Sequence, residues 1–221
     1  VTVIEMLPQI CGATDTDLAK LLQRRLEKRG VKFHLGAKVE TLDGKRISFV
    51  DAKGESQEVA ADLILAAMGR VPNVEDLGLE AAGVDFSHRG IRVDDHARTN
   101  VPSIYVTGRK SFDGLSEEEG RIAAENALGK NKSLNIDWIP QVIYTDPEIA
   151  CVGLTEAQAR EKGLAVRTAK LPLGASGRYV AETHEERGII KVVVGEAQGE
   201  ILGVHIIGPS AAEMIGAAVT M

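Results

Sequence analysis

VTVIE at residues 1–5, together with TDTDLAKLLQRRLEKRG at residues 14–30, decides the fold of this chain. The first stretch is an apolar run closed by one acid, which is typical of a buried parallel strand whose last residue faces a ligand crevice. The second begins with several capping oxygens, continues as a leucine stripe at helical spacing and ends at Gly30. Together they predict a strand, a loop and a helix of an α/β unit.

Three more strands are predicted after this helix, at residues 31–39, 45–50 and 62–68. The first two alternate in polarity and are separated by the turn Asp43-Gly44, so they predict an antiparallel excursion. The third, DLILAAM, is apolar after its first residue and predicts a buried strand that ends in a loop at Gly69. This part of the chain is therefore expected to be an incomplete α/β portion.

The pattern changes near Asp137. Before this point, short strands are predicted at residues 91–93 and 104–108 and a helix at residues 117–128. After it, strands cluster with flanking helices instead of alternating strictly with them, which indicates an α+β domain with an antiparallel sheet. Its strands are predicted at residues 141–144, 149–153, 165–171, 189–194 and 200–207, with helices over residues 155–162 and from Ser210, where Glu213 completes a capping box.

Composition and charge exclude several classes of function. The formal net charge is −6 with both signs interspersed, so there is no clustered basic face for nucleic acid. No apolar run approaches the roughly 18 residues of a membrane span, so no membrane is expected as a partner. The five histidines and the two cysteines, Cys11 and Cys151, lack the spacing of metal ligands or of a redox pair. We therefore expect no metal site and two inert free thiols.

Glu5 is the sharpest local indication of chemistry. An acid at the end of the second strand of a dinucleotide-binding unit accepts hydrogen bonds from the adenosine ribose hydroxyls and repels a 2′-phosphate. The following loop, residues 6–14, contains no lysine or arginine that could pair with such a phosphate, so NAD is favoured over NADP. The alternative, a solvated acid at the end of a strand, stays open at this point.

Six stretches, taken in order, resemble one family: the FAD-dependent pyridine nucleotide-disulfide oxidoreductases, and among them the dihydrolipoamide dehydrogenases most closely. Mercuric reductases, soluble transhydrogenases and glutathione reductases are related alternatives. The stretches are VTVIEMLPQI at residues 1–10, AAMGRVPN at 66–73, RTNVPSIYVTG at 98–108, IPQVIYTDPEIACVGLTEAQAREKG at 139–163, ASGRYVAE at 175–182 and GEILGVHIIGPSAAEMIGAA at 199–218.

The resemblance implies an incomplete α/β, Rossmann-like NAD/FAD-binding portion followed by an α+β dimerisation domain with an antiparallel sheet. It implies three domains: residues 1–68 from the NAD-binding domain, 69–137 from the C-terminal part of the FAD-binding domain, and 138–221 as a truncated dimerisation domain. It also implies NAD and FAD as cofactors, a homodimer, and the lipoyl domains of 2-oxo acid dehydrogenase complexes as partners. The implied compartment is the cytoplasm, or the mitochondrial matrix in a eukaryote.

Four cofactor-binding residues follow from the resemblance. Glu5 would meet the adenosine ribose, Val39 would contact the adenine end through its backbone, Gly69 would lie beside the nicotinamide cofactor, and Gly108 would approach the flavin. The family has an aspartate after this last glycine, whereas this chain has Arg109 and a shortened segment up to residue 116. Either the normal FAD contact is lost here, or residues are missing from the segment.

The resemblance places the catalytic cysteine pair before residue 1 and the catalytic His-Glu pair after residue 221, so no catalytic residue is expected in the chain. Both ends interrupt elements that look continued, and the chain is therefore expected to be part of a longer enzyme. Two hypotheses remain. It is either a portion of a dihydrolipoamide dehydrogenase or a non-catalytic folding or dimerisation module.

Overall fold

The computed structural model describes residues 1–107, 113–184 and 188–220, so the predicted flavin-site positions Gly108 and Arg109 lie outside the described residues. The helices are α1 Thr16–Lys28, α2 Asp113–Ala127, α3 Glu156–Glu161, α4 Gly177–Thr183 and α5 Ala211–Val219. The strands are β1 Thr2–Glu5, β2 Lys32–Leu35, β3 Lys38–Asp43, β4 Arg46–Val50, β5 Ser56–Ala60, β6 Phe86–Ser87, β7 Gly90–Ile91, β8 Gln141–Ile143, β9 Ile149–Gly153, β10 Val166–Pro172, β11 Ile189–Gly195 and β12 Ile201–Ile207.

The chain forms two compact units, one of residues 1–66 with 142–221 and the other of residues 67–141. The three predicted domains stay a prediction, because compactness groups the chain differently from the way cofactor-binding domains would divide it. None of the described helices is both long enough and apolar enough to cross a membrane.

The predicted strand, loop and helix at the start of the chain are confirmed. β1 and β2 form a parallel pair in which Glu5 lies opposite Leu35. Helix α1 begins after Asp15, whose side chain accepts a hydrogen bond from the backbone N–H of Asp17 at 3.0 Å and so satisfies one donor of the first turn. The predicted antiparallel excursion is also present, as a three-stranded sheet in the order β3-β4-β5, but the single strand predicted at residues 31–39 is divided into β2, which pairs parallel with β1, and β3.

The second part of the first unit is a five-stranded sheet in the order β10-β11-β12-β9-β8. Strand β11 pairs antiparallel with β10 and with β12, and β12 pairs antiparallel with β9, which confirms the expected sheet. Alternate side chains of β9 and β12 point to opposite faces, as the twofold repeat of a strand requires. One face packs on α5 through Ile206 and Ile215, and the other packs on α1 through Ile207 and Leu18.

The strand predicted at residues 62–68 is wrong, because these residues form no strand. The side chains of Leu63, Leu65 and Met68 are 88%, 86% and 93% exposed. No strand in the described part of the chain pairs with the segment, and an apolar run without a neighbouring backbone has nothing to complete its hydrogen-bond ladder. Of the strand predicted at residues 104–108, the described residues 104–107 form one bridge, between Arg98 and Tyr105.

The start of α5 differs from the predicted capping box. Ser210 adopts a left-handed conformation, with φ of 59°, and its side chain caps no backbone group. Instead, Glu148 accepts a hydrogen bond from the backbone N–H of Ala212 at 3.0 Å. A carboxylate 64 residues away in sequence therefore supplies the acceptor, and its charge complements the positive end of the helix dipole.

Candidate functional site

Glu5 ends β1 at the carboxyl edge of the parallel pair. Its side-chain Oε1 accepts a hydrogen bond from the backbone N–H of Leu7 at 2.8 Å, and its carbonyl oxygen accepts one from the N–H of Ala37 at 2.9 Å. The first bond orients the carboxylate and occupies only one of its several acceptor positions. Since Glu5 is only half-buried, its remaining acceptor positions are accessible and can accept hydrogen bonds from the hydroxyl groups of a ligand.

The loop of residues 6–14, here called the ribose loop after the ligand predicted for the neighbouring Glu5, is held together by its own hydrogen bonds. The side-chain amide of Gln9 donates to the carbonyl oxygens of Gly12 at 2.9 Å and Thr14 at 2.8 Å. Its amide oxygen accepts from the hydroxyl of Thr16, in the first turn of α1, at 2.9 Å. The loop contains no lysine or arginine. It is thus an ordered segment without a side-chain cation for a phosphate.

The other predicted cofactor residues are placed less closely. Val39 lies on β3, two residues beyond the Ala37 that bonds to Glu5, so the structure brings this strand near the same sheet edge. Gly69 belongs to the second compact unit, where its φ of +106° favours glycine. The roles assigned to Glu5, Val39 and Gly69 stay predictions, and Gly108 lies outside the described residues.

A buried cluster of charges, which the sequence interpretation missed, lies at the far end of the ribose loop. Lys191, in β11, donates from Nζ to both carboxylate oxygens of Asp15 at 2.9 and 3.1 Å and to Asp17 at 2.6 Å. The same ammonium lies 3.0 Å from the carboxylate of Glu156. The side chains of Lys191 and Asp15 are each 3% exposed. Three carboxylates from the start of α1 and of α3 therefore surround one cation of the antiparallel sheet.

This cluster favours the charged form of its members. Burial by itself lowers the pKa of Lys191, but hydrogen bonds to Asp17, Asp15 and Glu156 outweigh burial and raise that pKa above its ordinary value. Burial likewise favours protonated Asp17, whereas its bonds to Lys191 and Lys170 hold its pKa below the usual range. The Lys191 ammonium and the Asp17 carboxylate are therefore ionised at neutral pH.

Two further polar side chains continue the row beside Lys191. In the strand register, Lys191 lies opposite His205, and His205 lies opposite Cys151. The Nε2 of His205 lies 3.0 Å from the carbonyl oxygen of Leu154, so this nitrogen carries the proton, while Nδ1 has no hydrogen-bond partner among the described residues. Burial, with a contribution from nearby Asp15, raises the pKa of Cys151 to about 11. The row therefore holds a neutral imidazole and a neutral thiol, neither suited to nucleophilic chemistry.

The buried imidazole predicts a loss of stability in mild acid. Burial lowers the pKa of His205, which faces the Lys191 cation, Asp15 and Cys151. In the unfolded chain His205 takes up a proton near pH 6.5, whereas in the folded chain it stays neutral to lower pH. The free energy of unfolding therefore falls as pH drops below 6.5, by about 1 kcal/mol per pH unit. Urea unfolding at pH 7.5 and 5.5 measures this loss. His205→Gln should reduce it and exposed His88→Gln should not; equal losses in all three proteins would contradict the prediction.

Within the described residues, no three or more histidine, cysteine, aspartate or glutamate side chains are grouped so that they could hold a metal ion. Cys11 and Cys151 are both free thiols, as expected. The candidate features of the first unit are the Glu5 carboxylate, the loop of residues 6–14 and the buried charges that follow it.

Comparison with known proteins places these features in a family. The sequence pattern of pyridine nucleotide-disulphide oxidoreductases matches residues 1–116, and the dimerisation-domain pattern of the same proteins matches residues 139–221. The chain is 43% identical over 229 residues to a dihydrolipoyl dehydrogenase of Thermus scotoductus, covering 99% of this chain and 49% of that protein. It is 38% identical over 228 residues to a dihydrolipoyl dehydrogenase of Cupriavidus necator, covering 99% and 48%.

A solved structure agrees with these sequence relatives. LpdA from Mycobacterium tuberculosis matches with a TM-score of 0.84 at 28% identity, over 100% of this chain and 49% of that one. The chain therefore spans about half the length of the relatives it matches. The first family pattern covers the α/β portion of the fold, and the dimerisation pattern covers the five-stranded antiparallel sheet. The chain belongs to the pyridine nucleotide-disulphide oxidoreductases.

Proposed function

We propose that this chain is part of a dihydrolipoyl dehydrogenase, which oxidises dihydrolipoyl groups and passes the electrons through a redox disulfide and FAD to NAD⁺. One observation carries the NAD half of the proposal: the parallel β1–β2 pair ends on an oriented carboxylate, Glu5, followed by a loop without cations. The substrate half is supported by similarity to dihydrolipoyl dehydrogenases over 99% of the chain.

The residues at this edge fit the adenosine end of NAD. Glu5 has acceptor positions left for ribose hydroxyls, and its negative charge disfavours a 2′-phosphate. The backbone of Val39 would flank the adenine, because β3 begins beside the residue that bonds to Glu5. When bound, NAD⁺ accepts the electrons as a hydride. Glu5 and Val39 would hold the adenosine end of NAD, which lies far from the reactive nicotinamide ring. Holding that end orients the ring although neither residue contacts it.

The fit to FAD is poorer in this chain. Gly108 would approach the flavin, but Arg109 follows it where the resemblance calls for an aspartate acceptor. A guanidinium only donates hydrogen bonds, so it does not replace a carboxylate that accepts one from a flavin hydroxyl. We therefore assign no flavin step to these residues.

A homodimer follows from the match of residues 139–221 to a dimerisation domain. Within the same proposal, its partners are the lipoyl domains of 2-oxo acid dehydrogenase complexes, and its compartment is the cytoplasm or, in a eukaryote, the mitochondrial matrix. The lipoyl groups would supply the dithiol that the enzyme oxidises.

A non-catalytic folding or dimerisation module is the second candidate. It is supported by the match of residues 139–221 to a dimerisation domain, whereas the exposed apolar side chains of Leu63, Leu65 and Met68, which no strand of the described chain covers, count against a self-standing product. A 221-residue product with these exposed side chains should aggregate. Purifying the protein as it occurs naturally and recording its intact mass, dispersity and flavin colour separates the candidates. A colourless, monodisperse and cooperatively melting product supports the module, and a yellow protein of about twice the mass supports the dehydrogenase.

The NAD proposal predicts the effect of removing the Glu5 carboxylate. In the full-length protein, Glu5→Ala should weaken NADH binding about tenfold, since a hydrogen bond to a charged group contributes about 1.5 kcal/mol or more. It should also abolish the preference for NADH over an analogue that lacks the 2′-hydroxyl of the adenosine ribose. Fluorescence titration with both nucleotides measures the two effects. Glu161→Gln, at an exposed site on α3, is the control; a preference that survives Glu5→Ala would refute the ribose role.

A further inference from the structure

We propose that Lys191, in the antiparallel sheet, is a positioning residue for the adenosine-ribose site, because it clamps Asp15 and thereby holds the ribose loop that follows Glu5. The inference rests on the proposed ribose-binding role of Glu5. It adds a contribution of the dimerisation domain to cofactor selection, since Lys191 lies in the region matched by the dimerisation pattern and Glu5 in the other.

The ribose loop is fixed at both ends. At its start, Glu5 is held by the β1–β2 pairing and by the backbone N–H of Ala37. At its end, Asp15 is held by two contacts with the Lys191 ammonium, at 2.9 and 3.1 Å. The first anchor is made of backbone hydrogen bonds, whereas the second combines the buried Lys191 ammonium with the packing of Leu18 on the sheet, and only the ammonium contacts Asp15 itself.

The loop transmits the position of one end to the other, because its interior is cross-linked. Gln9 bonds to Gly12, Thr14 and Thr16, which ties the middle of the loop to the first turn of α1. Ile10 is buried against the sheet in the cluster that contains Ile149 and Ile207. A shift of the α1 start would therefore reach the segment at Leu7.

The effect should appear in the ribose contact, because hydrogen bonds depend steeply on distance and angle. Leu7 donates the bond that orients the Glu5 carboxylate. Without Lys191, Asp15 would be a buried carboxylate without its cation, and such a group takes up a proton, draws in water or moves. Each of these responses loosens the end of the ribose loop and spreads the orientations of Glu5.

Lys170 offers a matched control on the neighbouring strand. It lies opposite Lys191 in the sheet register, and its ammonium is 2.9 Å from Asp17. Its side chain is 47% exposed, however, and no contact with Asp15 is found. Loss of Lys170 removes a nearby positive charge and leaves the buried clamp in place.

The test measures the ratio of the dissociation constant of 2′-deoxyadenosine NADH to that of NADH in the full-length holoenzyme. This ratio reports the ribose contact itself and is insensitive to a uniform loss of affinity or to a fraction of unfolded protein. We expect about ten in the wild type, a fall to threefold or less in Lys191→Met, and no change in Lys170→Met. Should Lys191→Met fail to fold, Asp15→Asn weakens the clamp from its other end, because it removes the negative charge and one of the two oxygens that Lys191 binds while it keeps the capping oxygen.

The outcomes are distinguishable. A ratio that stays near ten in Lys191→Met, or in Asp15→Asn where that variant is needed, overturns the positioning role. An equal fall in Lys170→Met overturns it as well, because the effect would then be general electrostatics. A wild-type ratio of one means that Glu5 does not bind the ribose, and the proposed function fails first. A fall confined to the clamp variants and Glu5→Ala supports the inference.

Discussion

Gly203→Ala should strongly destabilise the antiparallel sheet, because the added methyl group overlaps the backbone of Leu154. Gly203 lies opposite Gly153 in the β12–β9 register, and a Cβ built on it would be 2.1 Å from the carbonyl oxygen of Leu154 and 2.9 Å from its nitrogen. Both are backbone atoms, so no side-chain rotation relieves the overlap. We expect a loss of at least about 3 kcal/mol in the free energy of unfolding, at the upper end of overpacking. Urea unfolding followed by circular dichroism measures it.

Gly216→Ala is the matched control for this substitution. Gly216 lies within α5, and a Cβ there would meet no atom within 4 Å. Alanine is favoured over glycine inside a helix by about 1 kcal/mol, so this variant should be unchanged or more stable. If Gly203→Ala unfolds at the same urea concentration as the wild type, the close approach of β12 to Leu154 is not present in solution.

The parts of the fold that local patterns determine could be predicted from sequence. The apolar run that ends at Glu5 and the leucine stripe after Asp15 each signal one element without reference to distant residues, and both elements are present. The residues 62–68 carry an equally apolar pattern, yet they form no strand, because a strand also needs a neighbouring backbone. Periodicity indicates which face a segment would bury and says nothing about whether a partner is available.

The support of the candidate site could not be predicted, because its contacts are distant in sequence. The Lys191–Asp15 contact spans 176 residues, and the Glu148 cap of α5 spans 64. One signal was available: Lys191 is the single charge in the apolar strand IIKVVV. A lysine at such a position is almost never fully buried unless it is paired, so it predicts a carboxylate partner without identifying it. The sequence pattern indicates Asp15 only as one of several capping oxygens before α1, although Asp15 both caps the helix and pairs with Lys191.

Because Lys191 pairs with the buried Asp15, Lys191→Ala should also cause a large loss in the free energy of unfolding. The substitution leaves the carboxylates of Asp15, Asp17 and Glu156 together without their shared cation, and Asp15 is almost fully buried. Breaking a buried ion pair from one side costs about 3–5 kcal/mol, because an uncompensated charge remains. Lys170→Ala, which removes a half-exposed lysine from Asp17, should cost less than about 1 kcal/mol. Urea unfolding at pH 7 compares both variants with the wild type.

The pH dependence tells an electrostatic loss from lost packing. Hydrogen bonds to Lys191 and Arg160 hold the pKa of Glu156 below its ordinary value, and bonds to Lys191 and Lys170 overcome burial to lower that of Asp17. Groups with depressed pKa values stabilise the fold above their unfolded values, near pH 4, and lose this contribution as pH falls through the folded ones. The wild type should therefore weaken below pH 4, whereas Lys191→Ala, whose crowded carboxylates are relieved by protonation, should weaken less. The difference in the free energy of unfolding between the wild type and Lys191→Ala should therefore decrease toward pH 3. A difference that stays constant with pH would mean that the loss comes from the packing of the lysine side chain.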